Sequence, residues 1–222
     1  MKNFNLKNEN GRSMIEMLGV LAIIGVLSVG GIAGYSKAMQ KYRINKTIEQ
    51  ITLIAGNIRA FFGPHKNYYE AMCTCGRGIC SGFSSLNNGI PEPEDNGCPI
   101  IKKAKIFPDE MLTLDSDGNI TSITNPFGHQ ADIQLLSSSG FTIVYYGISE
   151  EACIELITYD WTTAGVTVID LFVNEAEEVA AKTPIDIDLG QKMCSKVATT
   201  PDYEFQLYFD TKDTFTIGLD EL

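Results

Sequence analysis

The sequence predicts an α+β protein in which one long N-terminal helix, apolar over its first half, packs against an antiparallel β-sheet head. Three observations lead there. From Met17 to Tyr35 the chain carries no charged residue; from Ile44 to Phe62 an apolar stripe continues at helical spacing; and the second half of the chain reads as several short alternating strands.

Residues 1–11, MKNFNLKNENG, are polar, include Lys2 and Lys7, and read as a processed leader. The 19 uncharged residues after Glu16 would form a helix of roughly 28 Å, about the thickness of bilayer hydrocarbon. A cleaved secretory signal has a shorter apolar core, about 7–15 residues, with the cut site behind it. Here the candidate cut site, Gly11, lies in front, so removing residues 1–11 leaves the apolar helix on the mature chain. Gly19, Gly25, Gly30, Gly31 and Gly34 would each weaken a soluble helix by up to about 1 kcal/mol. Between packed apolar helices they let backbones approach, and Gly30-x-x-x-Gly34 has that small-residue spacing.

Glu16 heads the apolar run. A carboxylate in hydrocarbon costs about 3 kcal/mol unless it finds a partner or reaches the interface. Cutting after Gly11 would create one cation nearby, the α-amine of Arg12. While both are helical, that amine does not readily reach the Glu16 of its own chain, but in a staggered bundle it reaches a neighbour's. The alternative is a glutamate that snorkels to the headgroups.

The helix continues past Tyr35. Ile44, Ile48, Ile51, Ala55, Ile58 and Phe62 recur at intervals of three and four, while Lys41, Arg43, Lys46, Glu49 and Arg59 lie mostly off the stripe. Gly63-Pro64 stops the helix, at about 50 residues or roughly 75 Å. Its second half needs a core to lie on, which residues 63–222 must supply.

Residues 63–105 are loop-like, with Cys73, Cys75, Cys80 and Cys98 among glycine, asparagine, serine and proline. Disulfides suit these cysteines; zinc is the alternative, although the spacing is not a paired knuckle. Residues 106–222 form the sheet region. Asp115-Ser-Asp117-Gly118-Asn119 reads as a turn, or as the start of a calcium loop that lacks its later glutamate. Asn125-Pro126-Phe127-Gly128 is a second turn. Ile133–Leu136 and Phe141–Tyr146 read as a hairpin. Ser149 caps a helix with Glu150 and Glu151 in its first turn and Cys153, Leu156 and Ile157 on one face. Val166–Val173 is a strand, 175–182 a short helix, Ile185–Val197 partly helical, and Tyr203–Phe209 and Phe215–Ile217 are strands. The aromatic residues from Tyr145 to Phe209 belong to the core.

The formal charge of −11 argues against nucleic acid as a partner, because gripping phosphates needs a basic face. Six cysteines behind an export helix imply disulfides and an oxidising compartment. The positive-inside count gives no such guide: Lys2, Lys7 and Arg12 precede the apolar run, and Lys37, Lys41, Arg43 and Lys46 follow it. No H-E-x-x-H, G-x-S-x-G or phosphate-cradling glycine loop occurs, and His65 and His129 sit in turn-like settings. The expectation is no enzyme, no cofactor and no metal.

Gly11, then Arg12-Ser13-Met14-Ile15-Glu16, then the long apolar helix, resembles the N-terminus of a type IV prepilin. The resemblance is dense over Gly11–Met39 and departs at Arg12, where the family usually carries an apolar residue. It implies a leader 1–11 cut after Gly11 by a prepilin peptidase, methylation of the new terminus, and a helix 12–62 whose half 14–35 anchors in the membrane and then assembles. Residues 63–222 would be the globular head. Cys153 and Cys194 resemble the disulfide pair that ties the C-terminal region of such heads into the sheet, in a type IVb-like manner. The partners implied are copies of the chain itself, the peptidase, the pilus assembly machinery and the bacterial inner membrane. The head would be periplasmic first, then part of an extracellular pilus serving adhesion or another surface role. A minor pilin or a type II secretion pseudopilin is the alternative within that class. A membrane-tethered binding domain that never polymerises, or an anchored periplasmic enzyme, stands outside it.

Overall fold

The computed structural model describes residues 14–62, 105–118, 120–137, 140–172, 178–197, 200 and 203–209. Gly11, Arg12, His65, Cys73, Cys75, Cys80, Cys98 and the strand expected at Phe215–Ile217 lie outside the described residues. Helix α1 spans Met14–Phe62 without interruption. The chain divides into two compact units, Met1–Tyr42 and Arg43–Leu222.

In the second unit, the five-stranded sheet has the order β3-β4-β7-β5-β6 and is antiparallel throughout. Its strands are β3 (Ala131–Ser137), β4 (Gly140–Tyr146), β5 (Val166–Phe172), β6 (Glu178–Lys182) and β7 (Glu204–Phe209). The late strand β7 sits in the middle, so the sheet closes only when this C-terminal segment inserts between β4 and β5. A separate hairpin joins β1 (Leu112–Leu114) to β2 (Ile120–Ile123). Helix α2 (Glu150–Ile157) lies between β4 and β5 in sequence, and α3 (Ile187–Val197) between β6 and β7.

Alternation sorts the sheet residues. Ile133, Ile143, Leu207, Ile169 and Ala181 face one another across the five strands, as do Tyr145, Phe205, Leu171 and Val179 over four of them. All are buried in one core with Ile44, Ile51, Ile54, Ala55 and Ile58 of α1. From Ile44 to Ile58 the helical stripe read from the sequence therefore lies where expected, with Ile48 partly buried at its edge, and it is widened by Ile54 and by the buried Thr47 and Gln50. Phe141 and Phe209, partners in register, stack with ring centroids 4.9 Å apart.

Polar contacts fix the end of α1. Arg59 Nη1 donates to Ala164 O at 2.6 Å, and its guanidinium carbon stands 5.6 Å from the centroid of the Phe209 ring. Gly165, at φ 80°, leaves the room this guanidinium occupies. Asn57 Nδ2 donates to the carbonyls of Lys105 and Ile106, at 2.9 and 3.1 Å. Lys46 pairs with Glu110 at 2.7 Å and with Glu49 at 3.1 Å; the Glu110 contact raises the Lys46 pKa, and Lys46 lowers that of Glu110.

Helix α2 begins as its sequence dictates. Ser149 Oγ accepts from Ala152 N at 3.4 Å, Glu150 and Glu151 fill the first turn, and Cys153, Leu156 and Ile157 are buried. At its other end the buried Trp161 donates Nε1–H to Leu156 O at 2.7 Å, satisfying one of the carbonyls a helix end leaves open. Helix α3 packs on α2 at Gly190, where a Cβ would stand 2.9 Å from methyl carbons of Ile157 and Thr158.

The expected helix at 175–182 is corrected: Glu178–Lys182 is strand β6. Glu-Val-Ala-Ala-Lys has good local helix propensity, but strand preference depends on context. Here pairing with β5 buries Val179 and Ala181 in the main core and Ala180 with Val168 and Tyr208 on the opposite face. Both turns form as read: Gly118 N donates to Asp115 O at 3.1 Å, and the Asn125 side chain accepts from the amides of Phe127 and His129. Of the expected core aromatics, Tyr145, Trp161, Tyr203, Phe205, Tyr208 and Phe209 are buried, whereas Tyr159 is exposed.

The second face of the sheet also carries polar side chains, and these are still buried. Asp132, Thr142, Asp170 and Gln206 lie on it. Burial, opposed by the Ile133 N–H and reinforced by the Glu204 charge, pushes the Asp132 carboxyl up to about 7 from 3.8. The folded chain thus holds this proton more tightly than the unfolded chain. The resulting stability is complete below about pH 4 and is lost as pH rises through about 7. Asp132→Asn, which keeps an acceptor for the Ile133 amide, is expected to stabilise the fold by on the order of 2–4 kcal/mol at pH 8 and to be nearly neutral at pH 4. Urea unfolding at the two pH values checks this.

Candidate functional site

The first unit consists, among its described residues, of α1 from Met14 to Tyr42. Its apolar side chains are not buried. Met14 is 83% exposed and Ile15 80%, and Leu18, Leu21, Ile24, Leu27 and Ile32 are likewise open, against 1% for Ile44 and none for Ile51 further along the helix. By length and composition this is one helix able to cross a membrane. Such a surface is costly in water, at roughly 25 cal/mol per Å² of apolar area, so it must be covered by lipid or by protein.

Among the described residues, nothing packs against its glycines. A Cβ built at Gly19, Gly25, Gly30, Gly31 or Gly34 would meet nothing within 4 Å. Such open positions let a second helix approach closely. Glu16 lies in the first turn of α1, where the helix dipole favours an acid, and is exposed. Of the predicted processing and assembly residues, Glu16 is the described one.

Cys153 and Cys194 are brought together as a disulfide between α2 and α3, with Cα atoms 6.0 Å apart. Both are fully buried. His129 is exposed just after the Asn125–Gly128 turn, its ring against Gly147, which adopts φ 65°. Among the described residues, no group of three or more His, Cys, Asp or Glu side chains could hold a metal ion. Asp115 and Asp117 serve the turn itself, with Asp117 N donating to Asp115 Oδ1 at 3.0 Å. Sequence reasoning missed Arg59, Asn57 and Gln50, whose roles depend on carbonyls and carboxylates far along the chain. For Gln50 a signal is present: it lies one turn along the helix from Lys46 and Thr47.

Among solved structures, the chain is similar to the crystal structure of a type IV b pilin from Salmonella typhi. Identity is 13%, the match covers 75% of this chain and 99% of the other, and the TM-score is 0.46. The likeness is one of fold. No protein-family model matches the chain, and no curated protein matches it.

Proposed function

We propose that this chain is the precursor of a pilin-like structural subunit. A prepilin peptidase removes residues 1–11, and the subunit waits in the inner membrane on its apolar helix with its head in the periplasm. Assembly machinery then draws it into a helical fibre. There segments 14–35 of many copies bury one another, and each Glu16 meets the Arg12 amine of a neighbour. Contacts of this kind are heterologous and do not close, so they grow a filament. The 63–222 heads form its wall, and no catalysis is required.

One observation carries the reading. The head buries a core of its own, with Ile44 through Ile58 inside it, while the apolar half of the same helix is exposed along its length. A helix that merely anchored a binding domain would be equally greasy; the five glycines, with no described residue within 4 Å of a Cβ at any of them, favour the reading in which copies of the helix pack closely.

The intact mass of the mature protein tests the processing step. The expected chain starts at Arg12, with or without one added methyl, and lacks six hydrogens, for three disulfides among its six cysteines. A chain that still starts at Met1, in a host with a prepilin peptidase, removes the prepilin reading.

A further inference from the structure

Strand β3 is an edge of the sheet and bonds to β4 alone. Its start is pinned. Asn125 Nδ2 donates to the carbonyls of Gln130 and Tyr146 at 3.0 and 2.8 Å, and Tyr146 N donates to Gln130 O at 3.1 Å. Its far end is weaker, because the pairing register shifts between Leu135 and Ser137. Between the pin and the irregularity stands Asp132, 5% exposed, in a cross-strand row with Val144, Gln206 and Asp170. Bonded and unbonded pairs alternate along an antiparallel ladder. The bonded Gln130–Tyr146 pair therefore makes Asp132–Val144 the next bonded one and turns the Ile133 N–H outward at the sheet edge. The Asp132 carboxyl accepts that N–H at 2.7 Å.

We propose that Asp132 is a proton-operated latch for β3: with its proton the segment Asp132–Ser137 stays on β4, and without it that segment opens while the rest of the sheet stays folded. Among the described residues, the titratable groups facing Asp132 are Glu204 on β7 and Tyr146 on β4, and neither offers a positive charge. Glu204 is half-buried, accepts from Gln206 Nε2 at 2.6 Å, and opposes a second negative charge on Asp132. Burial, with the Glu204 and Asp132 charges, keeps the Tyr146 hydroxyl protonated. Lys182 shares the face but belongs to β6, at the opposite edge, and the His129 ring lies on Gly147. An ionised Asp132 thus sets one local N–H against lost water and a like charge. Opening β3 returns the carboxylate to water at the cost of a single ladder. Asp170, on β5, has β7 on one side and β6 on the other, so no comparable exit exists for it. Once β3 lifts, β4 presents a row of backbone donors and acceptors able to pair with another strand.

The sign follows from the proton. Asp132 holds it up to about pH 7 when β3 is closed and to its ordinary 3.8 when β3 is open, so opening releases a proton and gains with rising pH. The opening constant should grow about tenfold per pH unit between about pH 5 and 7 and then level off. Hydrogen exchange of the full chain in detergent micelles, resolved to single amides and divided by each intrinsic rate, tests this from pH 5 to about 8.5. The amides of Asp132 and Gln134, which point to β4, should exchange at least about tenfold faster than those of β7, at rates insensitive to low urea. Their protection should fall with pH as stated. Asp132→Asn, which still accepts the Ile133 N–H, should make it independent of pH, and Glu204→Gln should bring the levelling to lower pH. Equal protection and equal urea dependence in β3 and β7 would mean that Asp132 acts on global unfolding alone, and would overturn the latch. So would a native profile flat in pH, or a slope that Asp132→Asn retains. Should that variant fail to fold, the carboxyl carbon-13 shift of Asp132 in the native chain decides: titration near pH 7 upholds the latch, and titration below pH 5 overturns it.

Discussion

Glu16→Val is expected to abolish fibres while leaving membrane insertion intact. Valine is free of the roughly 3 kcal/mol that a carboxylate costs in hydrocarbon, so the variant should enter the bilayer at least as well as the native chain. In the proposed fibre the substitution acts on the neighbour. It leaves an Arg12 amine among apolar helices without its partner, and breaking a buried pair in this way costs about 3–5 kcal/mol. That corresponds to more than a hundredfold loss at each subunit addition, enough to stop growth. The measurement is the amount of chain in sheared fibres against the amount in the membrane fraction. A fibre yield equal to that of the native chain would remove the pairing from the account.

The second large effect is expected from Cys153→Ala with Cys194→Ala. The disulfide spans a sequence separation of 41, and in the chain-entropy model closing a loop of that size contributes about 4 kcal/mol. The joined segment includes most of α2, β5, β6 and most of α3, so the link restrains four elements of the unfolded chain. With a typical urea slope of about 2 kcal/mol per molar, the unfolding midpoint should fall by about 2 M. A loss under about 1 kcal/mol would mean that the packing of Gly190 on Ile157 and Thr158 holds α2 and α3 together by itself.

These two residue sets differ in how far the sequence reveals them. Glu16 stands alone before an uncharged run, and the stripe from Ile44 to Ile58 has a period only a helix satisfies, so both are visible from spacing. The Ser149 cap, both turns and the β3–β4 hairpin are also visible, because local chemistry alone determines them. The Cys153–Cys194 pairing comes from resemblance, since spacing alone leaves six cysteines open to 15 pairings. Strand β6 reads wrongly as helix because Glu178–Lys182 is helix-prone by itself and takes its form from a β5 neighbour that no local pattern announces. The polar sheet face is hidden for a similar reason. Asp132, Asp170 and Gln206 alternate with core residues as solvent-facing side chains would, yet all three are buried. Arg59 looks like a solvated charge, and only the fold brings the Ala164 carbonyl and the Phe209 ring to it.

At the centre stands an apolar N-terminal helix that exchanges lipid for copies of itself once its leader is gone. The most direct measurement is the distribution of the processed chain between high-mass surface fibres and the membrane, in cells that carry the peptidase and the export machinery. Chains starting at Arg12 are expected in the fibres, with Glu16 cross-linked to the terminus of an adjacent copy. Processed chain found solely as a membrane-bound monomer in those cells would contradict it.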